Sequence, residues 1–159
     1  MKTELEVQRI ARHEDIPPDE DFQSWTDLTL AGRGGGNSLT IRIVEQAESR
    51  RLNSGYRGID AATNVLSFTA DLPEEVTVAL RDEGGALPLG DLVICAEVVL
   101  AEAAAQGKPV RHHWTHLVIH GILHLLGYGH SGRDEARVME SLERELLAGM
   151  GIPDPYQAR

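Results

Sequence analysis

The sequence predicts an α+β domain in which a small mixed β-sheet is packed with helices. Two observations support this prediction: strand-like apolar alternation recurs along the chain, and stretches with helical spacing lie between the strands. A third is size, because a chain of 159 residues can form a single domain, 1–159, that buries a substantial core without a disulfide or a structural metal.

Four segments have strand patterns, and they lie near residues 3–10, in 38–45, around 63–68 and in 89–95. In the second of them, Leu39, Ile41 and Ile43 alternate with polar residues, which indicates a half-buried strand. The fourth is apolar enough to lie inside a sheet. The first pattern is the weakest.

Five segments have helical patterns, and they cover 20–32, 45–54, 96–107, 110–127 and 134–149. Glycines 34–36 interrupt the chain after the first helix, and glycines 84–85 indicate a loop. Gly107 followed by Pro109 is typical of one helix ending and the next beginning. The last helix is expected to pack through an amphipathic stripe of Val138, Leu142, Glu145 and Leu146.

Composition and charge exclude some classes of protein. No apolar run approaches the roughly 20 residues of a membrane helix, and the N-terminus lacks the apolar stretch of a signal peptide. The single cysteine, Cys95, allows no internal disulfide and is expected to be a small buried residue. We therefore expect a cytoplasmic protein with no membrane partner.

The net charge of −10 argues at first against a nucleic-acid partner. Most of this acidity lies at the ends of the chain, with −5 in residues 1–27 and −3 in 134–159, whereas residues 28–133 carry only −2. A locally neutral or basic cleft in the middle of the chain is therefore possible, and bulk charge does not decide the substrate.

Three histidines have the spacing of a metal site, His120-x3-His124-x2-Gly127-x2-His130. Residues four apart on a helix lie about 6 Å apart along its axis and on nearly the same face, so two imidazoles can point at one ion. Gly127 can adopt the left-handed conformation that ends a helix, and the chain can then bring His130 back towards the other two. Three imidazoles leave a fourth tetrahedral position for water, which predicts one catalytic Zn²⁺ ion on a central, buried helix.

The neighbouring histidines have less specific interpretations. His116 lies one further step of four upstream and is expected to contact the metal ligands or the substrate. His112 and His113 are expected near the surface.

The same metzincin-like frame of histidines occurs in the zinc-peptidase motif H-E-x-x-H-x-x-G-x-x-H. The peptidase general base is the Glu beside the first histidine, and here that position is Gly121. A peptidase is disfavoured for this reason, although a carboxylate from elsewhere, such as Glu97, could substitute. A bound ion could still polarise a phosphoryl oxygen, and phosphoryl chemistry then needs a cation aimed at the developing charge.

The chain resembles the YbeY family in four segments: the run from His120 to His130, LNSGYRGIDAATNVLSF at 52–68, LPLGDLVICAEVV at 87–99, and GIPDPY at 151–156. The resemblance covers roughly residues 38–156. It departs from the family pattern at Gly129, where Asp is common, and in AATNVLSF, where the family has Pro before Thr.

This resemblance implies a single-strand-specific, metal-dependent endoribonuclease that acts in ribosomal RNA maturation at the 3′ end of the small-subunit rRNA. It implies zinc ligation by His120, His124 and His130, and it matches Arg57 to a functionally important arginine. It also implies the ribosome or ribosome-assembly proteins as partners. A guanidinium suits bidentate contact with phosphate.

Three hypotheses stay open on the sequence alone. The first is the endoribonuclease, in which Asn64 and Ser67 would supply polar contacts or serve in packing and turns. The second is a metallopeptidase with an unusual general base. The third is a non-catalytic, zinc-stabilised ribosome-assembly factor, which would account for the lack of an evident general base.

Overall fold

The computed structural model describes residues 2–33, 37–129 and 132–156. Its strands are β1 (Glu4–Arg9), β2 (Ser38–Val44), β3 (Val65–Thr69) and β4 (Pro88–Cys95). Its helices are α1 (Asp19–Leu30), α2 (Gln46–Arg57), α3 (Glu74–Asp82), α4 (Ala96–Ala105), α5 (Val110–Leu125) and α6 (Arg133–Gly149). The fold is thus the expected α+β arrangement. Within the described ranges, no helix combines the length and apolarity needed to cross a membrane.

The four strands form one mixed sheet in the order β1-β2-β4-β3. β2 pairs in parallel with both β1 and β4, whereas β3 is antiparallel to β4. The register aligns the alternating apolar residues, with Leu5 opposite Leu39 and Val7 opposite Ile41. The face that carries these residues is therefore mainly apolar and must be covered.

Helices α1, α4 and α5 cover that apolar face. Leu39, Ile41 and Ile43 of β2 join Leu92 and Ile94 of β4 in the main core. The helices contribute the other core residues, among them Phe22, Trp25, Val99, Trp114, Val118 and Ile122. The predicted alternation of β2 thus decides which face of the sheet is buried.

Helix α5 is central, because the sheet lies on one side of it and α6 on the other. Its outer side packs through Ile119 and Leu123 onto Met139 and Leu147 of α6. Gly121 faces the sheet so closely that a Cβ there would lie 2.7 Å from Leu92 Cδ2. This position therefore has no room for the glutamate of the peptidase motif.

The second face of the sheet is only partly covered. Helix α2 packs over β3 and β4 through Leu52, which contacts a small cluster around Leu66, Val93 and the buried Cys95. On the same face, β1 and β2 carry the polar side chains of Gln8, Thr40 and Arg42, which line a cleft.

The sequence predicts all four strands and five of the six helices. Helix α3 is missed, although Val76, Ala79 and Leu80 have helical spacing, and none of its nine residues is buried. Acidic residues in its first turn and Arg81 in its last complement the helix dipole. Glycines 34–36 lie outside the described residues, whereas the expected break at Gly107 and Pro109 is present, with Gly107 at φ +63°.

Two further expectations need correction. His113 was expected near the surface but is 3% exposed, because its side chain turns towards Glu102 of α4. The stripe of α6 was expected to include Val138 and Glu145, but Val138 is 52% exposed. The buried residues of α6 are Met139, Glu143 and Leu147, so the packing face is displaced by about one residue.

Candidate metal centre and adjoining cleft

A row of histidines runs along one stripe of α5 at steps of four residues. The ring centroids of His116 and His120 are 6.0 Å apart, and those of His120 and His124 are 4.7 Å apart. The side chains of His116 and His120 are mostly buried, with exposed fractions of 12% and 22%, and His124 is partly buried. The helical spacing therefore brings two of the predicted ligands, His120 and His124, side by side.

Glu143 of α6 is the carboxylate that contacts this row. It is completely buried, and its Oε1 accepts a hydrogen bond of 2.5 Å from Nδ1 of His120. The hydroxyl of Tyr156 donates to Oε2 of the same carboxylate, and Nε2 of His116 lies 3.5 Å from that oxygen. The charge of Glu143 is thus held entirely by hydrogen-bond donors within the protein.

These contacts determine the ionisation of the cluster. Burial raises the pKa of Glu143, but the hydrogen bonds from His116, His120 and Tyr156 outweigh it and lower the pKa to about 2. Burial also lowers the pKa of His116, and together with the hydrogen bond to Glu143 it raises the pKa of Tyr156. Glu143 is therefore a carboxylate at neutral pH.

Side-chain atoms of His116, His120 and Glu143 lie within 4.8 Å of one another, so this buried cluster could bind a metal ion. The distance between His120 and Glu143 indicates that Glu143 orients a metal-ligating histidine and is not itself a metal ligand. Two ligands of one tetrahedral zinc ion lie about 3.3 Å apart when the bonds are about 2.05 Å. The 2.5 Å contact between His120 and Glu143 is shorter and is a hydrogen bond.

A carboxylate that accepts a proton from one ring nitrogen of a histidine is typical of metal-ligating histidines. This contact fixes the tautomer and the ring orientation, so Nε2 of His120 is the atom that would ligate a metal. The donor set of His120 and His124, supported by Glu143, therefore fits an ion such as zinc.

Gly127 ends the helical row as expected. Its φ of +100° is a conformation that residues with side chains rarely adopt, and its amide donates to the carbonyl of His124. The turn follows directly after α5. His130, the third expected ligand, lies outside the described residues.

Arg57 is the last residue of α2, which extends three residues beyond the predicted helix over 45–54. Gly58 ends the helix in the left-handed conformation, with φ +70°. The following loop is held against α2, since Asn53 donates to the carbonyl of Ala61 and Arg50 pairs with Asp60. These contacts fix the end of the helix and therefore the position of Arg57.

A cleft of about 680 Å³ contains both Arg57 and the histidines His120 and His124. Residues of β3 and the loop before it form the rest of its lining, namely Thr63, Asn64, Val65, Leu66, Ser67, Phe68 and Thr69, together with Tyr56. Arg57 is exposed and makes no ion pair with any residue that the structure describes, whereas Arg50 and Arg42 are paired. A cation and two candidate metal ligands thus face the same space.

The other polar candidates have structural partners. The Oγ of Ser67 donates to the carbonyl of Gly121, and Nδ2 of Asn64 donates to Glu102. Glu97, considered as a substitute base, is exposed in the first turn of α4 and contacts Gln46. It does not line the cleft.

Sequence reasoning missed Glu143 and Tyr156. A signal for Glu143 is present in α6, because Glu143 lies four residues after Met139 and four before Leu147 and therefore on the apolar stripe. A charged residue on a buried stripe requires a partner. Tyr156 lies in the GIPDPY segment of the family resemblance, but no periodic pattern points to its contact with Glu143, 13 residues away in sequence.

Comparisons with known proteins place the chain among proteins of one family. The family model described as Endoribonuclease YbeY matches residues 11–151. A Pseudomonas fluorescens protein named Endoribonuclease YbeY is 55% identical over 154 residues, which cover 96% of this chain and 95% of the relative. An Alkalilimnicola ehrlichii protein of the same name is 50% identical over 157 residues, 97% of this chain and 91% of the relative.

A solution structure of a Thermotoga maritima protein has the same fold, with a TM-score of 0.57 at 20% sequence identity, over 97% of this chain and 99% of that one. The family match spans most of the residues, and the curated relatives align over nearly their whole length. This chain therefore belongs to the YbeY family.

Proposed function

We propose that this protein is a zinc-dependent, single-strand-specific endoribonuclease that matures ribosomal RNA, including the 3′ end of the small-subunit rRNA. The observation that carries the proposal is the cleft in which Arg57 faces His120 and His124, in a chain whose relatives are named endoribonucleases. In metal-assisted cleavage of a phosphodiester, the ion polarises a phosphoryl oxygen and a nearby cation stabilises the charge that develops on the phosphorus oxygens.

The zinc ligands in this proposal are His120, His124 and His130, with Glu143 orienting His120. Bound zinc supplies a Lewis acid that polarises a phosphoryl oxygen and lowers the pKa of a bound water. The 2.5 Å hydrogen bond between His120 and Glu143 supports this division of roles, since a carboxylate engaged in that way orients a ligand.

Arg57 is the proposed catalytic cation. Its guanidinium donates hydrogen bonds to the phosphate oxygens and stabilises the charge that develops on them. Its exposure and its lack of an ion pair within the described part of the chain support this role, because no carboxylate there competes with the phosphate.

The matched test of Arg57 compares Arg57→Ala with Arg51→Ala, since Arg51 is an exposed arginine on the same helix and does not line the cleft. We expect Arg57→Ala to lower the rate of single-stranded RNA cleavage by about 100- to 1000-fold, as loss of one donor to a developing oxyanion does, with the zinc content unchanged. Arg51→Ala should cleave at the wild-type rate. Equal rates for both variants and wild type would refute the role of Arg57.

The ligand assignment is tested by the zinc content of purified His124→Ala and His116→Ala variants. We expect His124→Ala to lose the ion and His116→Ala to keep it. The opposite result would assign the metal to the cluster of His116, His120 and Glu143 instead.

The same variants separate the proposal from its alternatives. A non-catalytic assembly factor predicts that a folded Arg57→Ala protein keeps its biological function. A metallopeptidase predicts chelator-sensitive casein cleavage without RNA cleavage, and the tight contact of Gly121 with Leu92 argues against it because the general base of that motif does not fit.

The proposed substrate also implies where the protein acts and with what. Ribosomal RNA in assembling subunits is found in the cytoplasm, so we propose a cytoplasmic location and ribosome-assembly proteins as partners. Co-sedimentation of the purified protein with small ribosomal subunits, and its absence from the membrane fraction of a lysate, are the expected results.

A further inference from the structure

Tyr56 is an exposed aromatic residue beside the proposed catalytic arginine. Its side chain is 72% exposed. Its ring meets the ring of Phe68 of β3 edge to face, with centroids 4.7 Å apart and planes at 65°. Phe68 packs against the cluster of Leu66 and Val93, so the exposed ring has a fixed support.

These two rings lie on the boundary between two clefts. Both line the cleft of about 680 Å³ that contains Arg57, His120 and His124. Both also line a second cleft of about 380 Å³ over the partly covered face of the sheet, together with Gln8, Thr40, Arg42, Glu48, Leu52, Asp91 and Val93. A chain leaving the first cleft in this direction must pass over the ring pair.

The charges of the two clefts differ. In the first cleft Arg57 supplies a cation that has no ion pair with any described residue, and such a cation favours phosphate. In the second, Arg42 is bonded to Glu48 and to Gln8, and the exposed Asp91 adds a negative charge. Phosphate is therefore disfavoured in the second cleft. A neutral base, whose edges donate and accept hydrogen bonds, is compatible with the amide of Gln8, the hydroxyl of Thr40 and the carboxylate of Asp91.

We propose that Tyr56, supported by Phe68, is a base-stacking subsite for the nucleotide next to the phosphate held by Arg57. The proposal rests on the endoribonuclease function proposed above and specifies how it recognises its substrate. Bases of single strands stack on aromatic side chains with little sequence preference, whereas a base inside a duplex is already stacked and paired. The subsite thus gives a physical reason for preferring single-stranded RNA.

The test measures binding of a short single-stranded RNA by fluorescence anisotropy, with a chelator present so that the RNA stays intact and circular dichroism used to confirm folding. We expect Tyr56→Ala to weaken binding by about 5- to 100-fold, the range found for loss of one stacking ring. Tyr56→Phe should bind within about twofold of wild type, because it keeps the ring. Leu28→Ala, which removes another exposed apolar side chain that is 48% exposed on α1, should have no effect.

A second measurement shows whether the lost contact is to a base. RNA with one abasic site at the stacked position should bind wild type as weakly as intact RNA binds Tyr56→Ala. When the abasic RNA is combined with Tyr56→Ala, the loss of affinity should be no larger than the loss from either change alone. Unchanged affinity of Tyr56→Ala, or fully additive losses, would overturn the subsite. An affinity loss in Tyr56→Phe equal to that in Tyr56→Ala would also overturn it.

The outcomes distinguish this subsite from the function on which it rests. If metal-loaded wild type neither binds nor cleaves single-stranded RNA, the endoribonuclease proposal fails and the subsite with it. If wild type binds and cleaves while Tyr56→Ala does both equally well, only the subsite fails. If Tyr56→Ala keeps RNA affinity but no longer co-sediments with ribosomal subunits, the ring is a protein contact and the subsite is wrong.

Discussion

Single side chains in this protein derive their roles from partners far away in sequence. His120 lies at the centre of the histidine row, and its ring orientation depends on Glu143, which is 23 residues away on another helix. Glu143 in turn is held by Tyr156, which comes after α6. A local motif in α5 is thus completed by two residues from the C-terminal part of the chain.

The contribution of Glu143 can be measured with Glu143→Gln, which keeps the shape and removes the charge. We expect zinc affinity to fall by about 10- to 100-fold, as it does when a carboxylate supporting a ligand is replaced. Competition with a chromophoric chelator measures this loss. Glu140→Gln, on the same helix and paired with Arg144, is the control and should bind zinc normally. Unchanged affinity in Glu143→Gln would contradict the orienting role.

Among the secondary-structure elements, β3, β4 and α5 pack most closely around Gly90. Gly90 in β4 has φ +147°, and a Cβ there would lie 2.2 Å from the carbonyl oxygen of Phe68 and 2.9 Å from Leu125. β3, β4 and α5 meet at this point. Because the nearest atom belongs to the backbone of a paired strand, the site cannot adjust by rotating a side chain.

Two glycine substitutions therefore have opposite expected effects. Gly90→Ala should lower the free energy of unfolding by about 3 kcal/mol or more, through backbone strain and steric overlap. Gly55→Ala, inside α2 with no atom within 4 Å of the added Cβ, should raise it by about 0.5–1 kcal/mol. Urea unfolding of both variants tests this difference. A destabilised Gly55→Ala or a neutral Gly90→Ala would contradict it.

Helix α2 is tied to the sheet by a charged pair whose strength depends on pH. Arg42 of β2 donates two hydrogen bonds to Glu48, and these lower the pKa of Glu48 more than its burial raises it. A carboxyl whose pKa is lowered in the folded state stabilises the fold at pH values above its unfolded pKa, near 4.5. That contribution is lost as the pH falls through the lower, folded pKa.

Glu48→Gln is expected to lower the free energy of unfolding by about 1 kcal/mol at pH 7. The difference from wild type should shrink as the pH falls below about 4.5, because Glu48 takes up a proton first in the unfolded chain and, at its lower pKa, in the folded protein. Denaturant titrations from pH 7 to pH 3 measure both effects. A difference that stays constant over this range would show that the pair contributes no charge-dependent stability.

For the whole molecule, the size of the core sets the importance of the metal for folding. The main cluster joins β1, β2 and β4 to α1, α4 and α5, and a second cluster joins α5 to α6. This apolar burial does not involve the candidate ligands. We therefore expect the metal-free protein to remain folded, unlike small domains that fold only with zinc.

Removal of zinc with a chelator should leave the circular dichroism spectrum unchanged and lower Tm by about 5–10 °C. Zinc at about 100 times its Kd stabilises the folded protein by about 2.7 kcal/mol. For a chain of this length, each kcal/mol changes Tm by about 2–4 °C. Scanning calorimetry with and without the chelator tests it. Loss of the cooperative transition in metal-free protein would show that the fold depends on zinc.

Features that depend on neighbouring residues could be predicted from the amino-acid sequence. The period-two pattern of β2 and the helical patterns predicted the strands and five helices, and a spacing of four placed His120 beside His124. Gly127 indicated the end of α5, because few residues other than glycine adopt a positive φ. The YbeY resemblance lay in contiguous segments and could be identified for the same reason.

Contacts between residues far apart in sequence could not be predicted and are known from the folded structure. It buried His113 against Glu102, brought Glu143 and Tyr156 to the histidine row, and joined Arg57 to the same cleft across more than 60 residues of chain. It also closed the position of Gly121 against Leu92. Local periodicity reflects backbone geometry over a few residues, whereas these contacts result from how helices and sheet stack to bury their apolar faces.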